Sequence, residues 1–522
     1  MSISFHPFVI YKYCTLYLVI PILFFFLGWL RIGLGLLLSL LLLFATFYFL
    51  KKVKVLEKRE EIIILSKEFY ISFLLLFLFL LSTGNTGFIG SWGVDIPWRN
   101  AIYQDLIHQS WPVVYEYSHS IMCYYMTFWL VPAAFASWLQ LNEFGSNIVL
   151  FLWMYFGLVL IFFLLCDLLK LKKENIVLIT IMFLFFSGVN MFGLILKNIF
   201  LEPTPIVLNF PGRANWSFSD YNVNGIDIVL IIRSIYLCIA DVYNQFFAIA
   251  ISTFLFLKFR EYTFFYVFIG ILVLPYSPLG FIGIFAVEFL EFLIGAFKRN
   301  SEIGFAAWIA NSISLTNVLA LLSIAPIFYF YFSMNSNAEA LLSLQCLEDY
   351  PFLTIPLNCF TGAHITLLLL YYYFYFIIYA RLIYESFKEE SLYYEILFCL
   401  IIFPFFKVGQ SADFNFNATI CPYLVLFFFI AKHILRSISM KRIKFKDISL
   451  IFFLSIAMIT PFAQIATTFR TAYIHGAISY KWTPWDSTLS RTSFKDKDVD
   501  VLRNFLVVNY EKKVFYRYCI KN

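Results

Sequence analysis

Two short basic segments set the tightest limit on what this chain can fold into. The first carries Lys51, Lys52, Lys54, Lys58 and Arg59, and the second Lys170, Lys172 and Lys173. Between them lie three apolar runs, 69–86, 121–141 and 146–166. A hydrocarbon core of about 30 Å takes about 20 apolar residues of helix, so each run is long enough to be a crossing. Short cytoplasmic loops collect Lys and Arg, which places both basic segments on one side of a membrane. Three crossings cannot join two points on the same side, so one run must return without crossing.

Eleven further runs of this length lie at 8–30, 32–50, 176–196, 233–257, 263–279, 280–297, 313–332, 362–384, 392–406, 418–435 and 448–468. From residue 146 onward, strict alternation puts every remaining basic segment on the cytoplasmic side. These segments carry Lys258 and Arg260, Lys298 and Arg299, Arg381 and Lys388, and the stretch Lys432 to Lys446. Segments 197–232, 333–361, 407–417 and the tail 469–522 then fall outside. Composition agrees: 61% of residues are hydrophobic and 13% charged, about half the charge of a soluble domain. Soluble enzymes, disordered chains and secreted disulfide scaffolds are excluded. The net charge of +6 reflects the cytoplasmic loops and is no sign of nucleic acid. Nine cysteines lie scattered without a CxxC pair, and the first apolar run lacks a cleavage site after it, which predicts a retained helix.

The run expected not to cross is 121–141. Pro132 interrupts it, Tyr117-Ser118-His119-Ser120 opens it, and its Trp and Tyr content suits a membrane–water interface. Residues 87–145 then form one outer segment. The expected fold is an all-α polytopic membrane protein of about 13 transmembrane helices. Its N-terminus would be cytoplasmic and its C-terminus outside, with a transmembrane module 1–468 and a small outer tail 469–522. The alternative is an ordinary kinked span with an atypical loop charge.

This layout resembles the GT-C superfamily of integral-membrane glycosyltransferases, whose first outer loop carries interfacial helices. The order Tyr124-Tyr125, Pro132, Phe144-Gly145 and a span ending at Lys170 is similar to theirs. More narrowly, the chain looks like a group of bacterial multispan membrane proteins. The matching pieces are GVDIPWRNAIYQDLIHQSWPVVY (93–115), YYMTFWLVPAAF (124–135), YSPLGFIGIF (276–285), KVGQSADFNFNATICPYLVL (407–426) and the final FLVVNYEKKVFYRYCIK. That group usually has His where this chain has Arg99, and Arg near where it has Asn417. The resemblance implies a bacterial inner (plasma) membrane, a loop carboxylate as catalytic base, and inverting hexosyl or pentosyl transfer from a polyprenyl-phosphate sugar lipid. The acceptor would be a cell-envelope glycan or lipid on the outer face. Membrane lipids are the other implied partners, nucleic acid is not one, and a divalent cation stays open as cofactor.

Asp95 is the first candidate for the base. It precedes a helix expected to start at Pro97, where Pro is favoured and a carboxylate is stabilised by the helix dipole. A plain N-cap explains it equally well. Asp105, ten residues on, falls on nearly the same helix face about 15 Å away, too far for a paired-carboxylate site. It ranks second for catalysis with Arg99, flanked by Arg99 and His108, while local pairing is the plainer account. Glu116 is the reserve base and an alternative binding residue. Arg213 and Arg233 are candidates for the donor phosphate, because the guanidinium fork suits phosphate oxygens. Lys407 and Arg470 lie at other outer span ends and are otherwise interfacial anchors.

Polar groups inside spans are costly and are functional candidates by default. Asp241, Asn244 and Gln245 in CIADVYNQFF share a helix face, and Asp413 and His364 lie at span ends. Asp496-Lys497-Asp498 reads as a solvated helix start rather than a metal motif. Cys346 and Cys359 share an outer loop that would allow a disulfide. Asn215 and Asn417 head sequons. The rival function is a transporter or flippase for a lipid-linked or small polar solute, which predicts inverted repeats and midplane charge. A structural membrane protein without chemistry is the third reading.

Overall fold

The computed structural model describes residues 4–57, 63–64, 66–89, 96–116, 119–190, 221–223, 226–228, 231–299, 305–335, 362–406, 413–440, 443–474 and 505–521. Its helices are α1 Pro7–Trp29, α2 Ile32–Leu56, α3 Lys67–Ser82, α4 Ile96–His108, α5 Thr127–Trp138, α6 Glu143–Leu168, α7 Lys173–Leu184, α8 Ile235–Phe259, α9 Tyr266–Ile271, α10 Pro278–Arg299, α11 Phe305–Ser312 and α12 Leu315–Ser333. They continue as α13 Gly362–Tyr372, a π-turn Tyr373–Ile377, α14 Ile378–Phe387, α15 Ser391–Ile402, α16 Asp413–Ala418, α17 Ile420–Ser439, α18 Phe445–Ala457, α19 Ile459–Ile474 and α20 Val514–Cys519. Short strands β1 Ser4–Phe5 and β2 Ile63–Ile64 pair antiparallel, as do β5 Tyr221–Val223 and β6 Ile226–Ile228. A three-stranded sheet joins β3 Val114–Tyr115, β4 Ser120–Met122 and β7 Leu506–Val508 in the order β3-β4-β7.

Among the described residues, eight helices are long and apolar enough to cross a membrane. Their outward faces are as apolar as their inward ones. On α2, Leu38, Leu42, Ala45 and Phe49 are buried while Leu36, Leu37, Leu40, Leu43, Phe44 and Phe47 are exposed. A helix facing water would carry polar residues on that second face, so its surroundings must be hydrocarbon. The chain is a mostly helical, polytopic integral membrane protein. At its centre runs α8, buried along nearly its whole length.

A cluster of charges fixes which helix ends lie together. Lys258 Nζ, at the end of α8, is 2.7 Å from Asp167 Oδ2 of α6 and 3.5 Å from Glu57 Oε2 just past α2. The Tyr11 hydroxyl of α1 donates to the same Asp167 oxygen at 2.6 Å. Arg260 pairs with Glu291 of α10 at 3.5 Å and with Glu390 at 2.5 Å. Lys170, Lys298 and Lys432 line the cavity of about 610 Å³ that these groups enclose. The basic segments from across the chain therefore meet at one end of the bundle, as the alternation of runs predicts.

From that basic end α3 leads to the far end, where Ser82 O accepts the Tyr236 hydroxyl of α8 at 2.9 Å. The next long helix, α6, starts at the far end, capped by the Asn142 side chain on Gly145 N (2.9 Å). Residues 83–142 leave and return at the same end, which satisfies the parity that three crossings would break. The middle run, predicted over 121–141, holds β4 and the twelve-residue α5, about 18 Å of helix. Thr127 through Ala134 are buried among α1, α4, α6 and α8, and only Phe135, Ser137 and Trp138 are exposed on this helix.

The run 263–279 also differs from a plain span. It contains a 3-10 turn at Thr263–Phe265 and the six residues of α9, followed by a turn at 272–277 that ends inside the bundle and leads into α10. Pro275 cannot continue a helix. Side chains take over the backbone bonds lost there: Thr127 Oγ1 donates to Pro275 O at 2.8 Å, and Ser277 Oγ caps Gly280 N at 2.9 Å. The Tyr276 hydroxyl, in turn, reaches Leu18 O of α1 at 2.6 Å.

Lys258→Met removes the only cation between Asp167 and Glu57 among the described residues. Loss of one partner from such a buried group costs about 3–5 kcal/mol, so Tm in detergent should fall by several degrees. The double variant Lys258→Met/Asp167→Asn should recover part of that loss.

Candidate functional site

The site is built around a break in α8. Val242 has φ −128° and ψ 36°, outside the helical range, so the backbone ladder opens about two turns into the buried helix. In an unbroken helix Ile239 O would accept the N–H of Tyr243. Here Asn85, from the segment after α3, donates its side-chain amide to Ile239 O at 2.5 Å. Ser234 caps the helix on Leu237 N (3.1 Å) and also donates to Gln464 Oε1 of α19 at 2.7 Å. Asn85 thus serves the break itself, while Ser234 and Gln464 hold the start of the same helix.

Just past the break, Tyr243, Asn244 and Gln245 point into the protein. The Tyr243 hydroxyl accepts from Trp129 Nε1 of α5 at 3.0 Å. Gln245 Oε1 accepts from Ser277 at 2.6 Å, tying the break to the 272–277 turn. Asn244 is fully buried, and neither of its amide atoms has a hydrogen-bond partner among the described residues. An unsatisfied buried group of this kind costs about 1–3 kcal/mol, which makes Asn244 a candidate contact for a polar ligand.

The predicted residues fall into two groups. Arg233 and Asp241 face each other at the mouth of the break, Nε to Oδ2 3.9 Å, with side chains 10% and 23% exposed. The Arg233 guanidinium lies 4.4 Å from the ring centroid of Phe416 in α16, within cation–π range. Asn415 of the same helix donates to Ile231 O at 3.2 Å, so α16, with exposed Asp413 at its start, closes beside Arg233. Arg99 of α4 is buried, its guanidinium carbon 5.9 Å from the Tyr243 ring centroid. Arg99, Arg233, Asp241, Gln245 and Asp413 are therefore gathered by the elements around one break.

Asp105 and Glu116 belong elsewhere. Asp105 lies about 240° around α4 from Arg99. Its buried carboxylate accepts from the Tyr115 hydroxyl at 2.5 Å and from Gln109 Nε2 at 3.2 Å. It fastens α4 to β3 and faces the sheet. Glu116 is exposed after β3, its charge acting on Tyr510. His108 ends α4, and partial desolvation pulls its imidazole below the usual range. Asp95, Arg213, Lys407, the side chain of His364, Cys346, Cys359, Asn215 and Asp496–Asp498 lie outside the described residues. Asn417 is buried, donating to Asp413 O at 2.9 Å, which removes it as a glycosylation acceptor in the folded protein.

α4 lies across the ends of three spans. Arg99 meets α8, the Tyr103 hydroxyl donates to Ser146 O of α6 at 2.8 Å, and Trp111 beyond the helix packs on Gly28 of α1. At Gly28 a Cβ would come within 2.6 Å of the indole, so glycine permits the contact. The C-terminal segment closes over this roof. Phe505 stacks on Trp98 at 5.4 Å, Cys123 N donates to Phe505 O at 2.8 Å, and β7 adds to β4. Arg31 then binds the last turns through Arg517 O (2.6 Å), Ile520 O (3.2 Å) and its own N–H to Cys519 O (2.8 Å).

Sequence reasoning missed Asn85, Trp129, Tyr243 and Ser277. Aromatic residues make up 21% of the chain, so two more in apolar runs carry no signal. Among the described residues no group of three His, Cys, Asp or Glu side chains is placed to hold a metal ion. Comparison with family models, curated proteins and solved structures finds no match.

Asp105→Ala and Tyr115→Phe should each cost about 1–3 kcal/mol of stability. The double variant should cost less than the sum, because the two side chains share one hydrogen bond. Thermal unfolding in detergent measures all three.

Proposed function

We propose that the protein is a membrane glycosyltransferase of GT-C type that works at the far end of the bundle, on the outer face of a bacterial inner membrane. The supporting observation is the path of 83–142, which leaves and re-enters the bundle at one end and lays α4 over the break in α8. In this reading α4 and the exposed end of α5 sit at the outer interface, and about thirteen crossings leave the C-terminus outside. Asp95, one residue before α4, is the base: its carboxylate takes the proton of an acceptor hydroxyl as that oxygen attacks the anomeric carbon. The sugar–phosphate bond breaks on the opposite face, and the polyprenyl phosphate leaves with inversion. Arg233, whose buried Nη1 has no partner among the described residues, and Arg99 offset the phosphate charge, with Arg213 as a further candidate. Asn244 and Gln245 bind sugar hydroxyls, and the polyprenyl tail stays in the lipid.

A transporter or flippase is the second reading. The broken α8 and the buried 272–277 turn favour it, since discontinuous helices line substrate sites in transporters.

Three measurements separate the two. Ser118→Cys and Glu143→Cys, each in a cysteine-free background, should react with an impermeant thiol reagent from outside intact cells. Protection of position 143 would sink the topology. Asp95→Asn should lower glycan extension in membranes at least a hundredfold with the protein still inserted, whereas solute uptake lost with extension unchanged identifies the transporter. Arg233→Ala should raise KM for the lipid-linked donor about tenfold or more, as expected for a lost charged hydrogen bond; an unchanged KM removes Arg233 from the donor site.

A further inference from the structure

Glu288 takes no part in the site at the far end. It lies on α10 with 3% of its surface exposed, and its Oε1 has no hydrogen-bond partner among the described residues. It sits three residues, about 5 Å along the helix, deeper than Glu291, which pairs with Arg260 at the basic end. A carboxyl inside a span is expensive and marks a functional site by default.

Around it the helices leave a crevice of about 300 Å³ between α9, α10 and α12. Ile271, Phe281, Phe285, Phe289 and Leu321 form apolar walls, while Thr263 and Ser312 stand at the basic end. Phe285 and Phe289 are exposed on their outer sides, so the crevice opens sideways to the lipid. Gly270 makes room for the carboxyl, because a Cβ there would collide with Glu288 Oε2. The crevice thus has one buried carboxyl near its polar rim and an apolar channel leading toward the middle of the bundle.

We propose that this crevice binds a single-chain amphiphile whose head donates a hydrogen bond. The head rests on Glu288 near Thr263 and Ser312, and the chain runs along Phe285, Phe281 and Ile271. Phosphate- and carboxylate-headed lipids are rejected, since their charge would be buried in low dielectric beside a carboxyl, in a crevice whose lining carries no cation among the described residues. A long-chain amine and a long-chain alcohol share the required donor. The site stands apart from the far end and does not depend on the glycosyltransferase reading.

The test uses the full chain in phosphatidylcholine nanodiscs. Three sixteen-carbon probes carry the same mid-chain diazirine and end in a primary amine, a hydroxyl or a carboxylate. After irradiation, peptide mass spectrometry should place the amine and alcohol on α9 and α10, with the acid labelling at least tenfold less. Glu288→Leu should lower labelling by both donor probes about tenfold, and Glu288→Gln should lower the amine most. Labelling by the amine alone identifies an ion pair as the head contact, still within the proposal. Equal labelling by the acid, unchanged labelling in Glu288→Leu, or cross-links from α10 to a second copy of the chain would each overturn it. The ratio of amine to acid on the unmodified protein decides even where a variant fails to fold.

Discussion

One ammonium group organises the path of this chain. Lys258 lies between Asp167 and Glu57, with the Tyr11 hydroxyl on the same carboxylate. Four helices, α1, α2, α6 and α8, must therefore end or begin at a common level. Buried charges of opposite sign tolerate little displacement, because each depends on the other for the solvation it has lost. With these ends fixed, the segment between α3 and α6 can only return to its own side. The roof formed by α4 and the sheet follows from that restriction.

The second organising constraint is the cost of an unpaired backbone group away from water. Among the described residues the chain opens its helices in the interior at Val242 and at 272–277, and both openings are closed by side chains from elsewhere. Asn85 serves the first, and Thr127 and Tyr276 stabilise the second. Gln245 and Ser277 then join the two. A polar seam runs inside an otherwise apolar bundle, and the gathered residues Arg99, Arg233 and Asp241 lie along its outer edge.

Much of this was legible from residue types alone. Basic clusters marked the ends that meet. The run 121–141, expected along the outer interface from Pro132 and its aromatic residues, instead forms a short helix buried among α1, α4, α6 and α8. Residue type alone does not tell packing against protein from packing against lipid. Asp241, Asn244 and Gln245 stood out because their polarity is rare in a span. The break at Val242 was invisible, since valine neither interrupts a helix nor signals a bend. Nor did 263–279 announce its inward turn, because two prolines and four hydroxyl-bearing residues are compatible with a kinked crossing. Asp105 looked chemical beside Arg99, yet its partner Tyr115 arrives through a strand pairing that local spacing does not encode. The sequon at Asn417 is likewise silenced by burial, a property of packing rather than of the triplet.

The sheet at the far end has a consequence for how the protein is made. Its middle strand is residues 120–122 and its last strand residues 506–508, while Arg31 grips residues 517–520. At ~5–20 residues per second of synthesis, roughly 20–80 seconds separate the emergence of the two strands. Through that interval Trp98 and Tyr124 lack Phe505, and the first helices stand inserted with their shared end uncovered. The far end is thus covered by a strand made nearly four hundred residues after the one it pairs with, a closure that waits on synthesis rather than on insertion of the first helices.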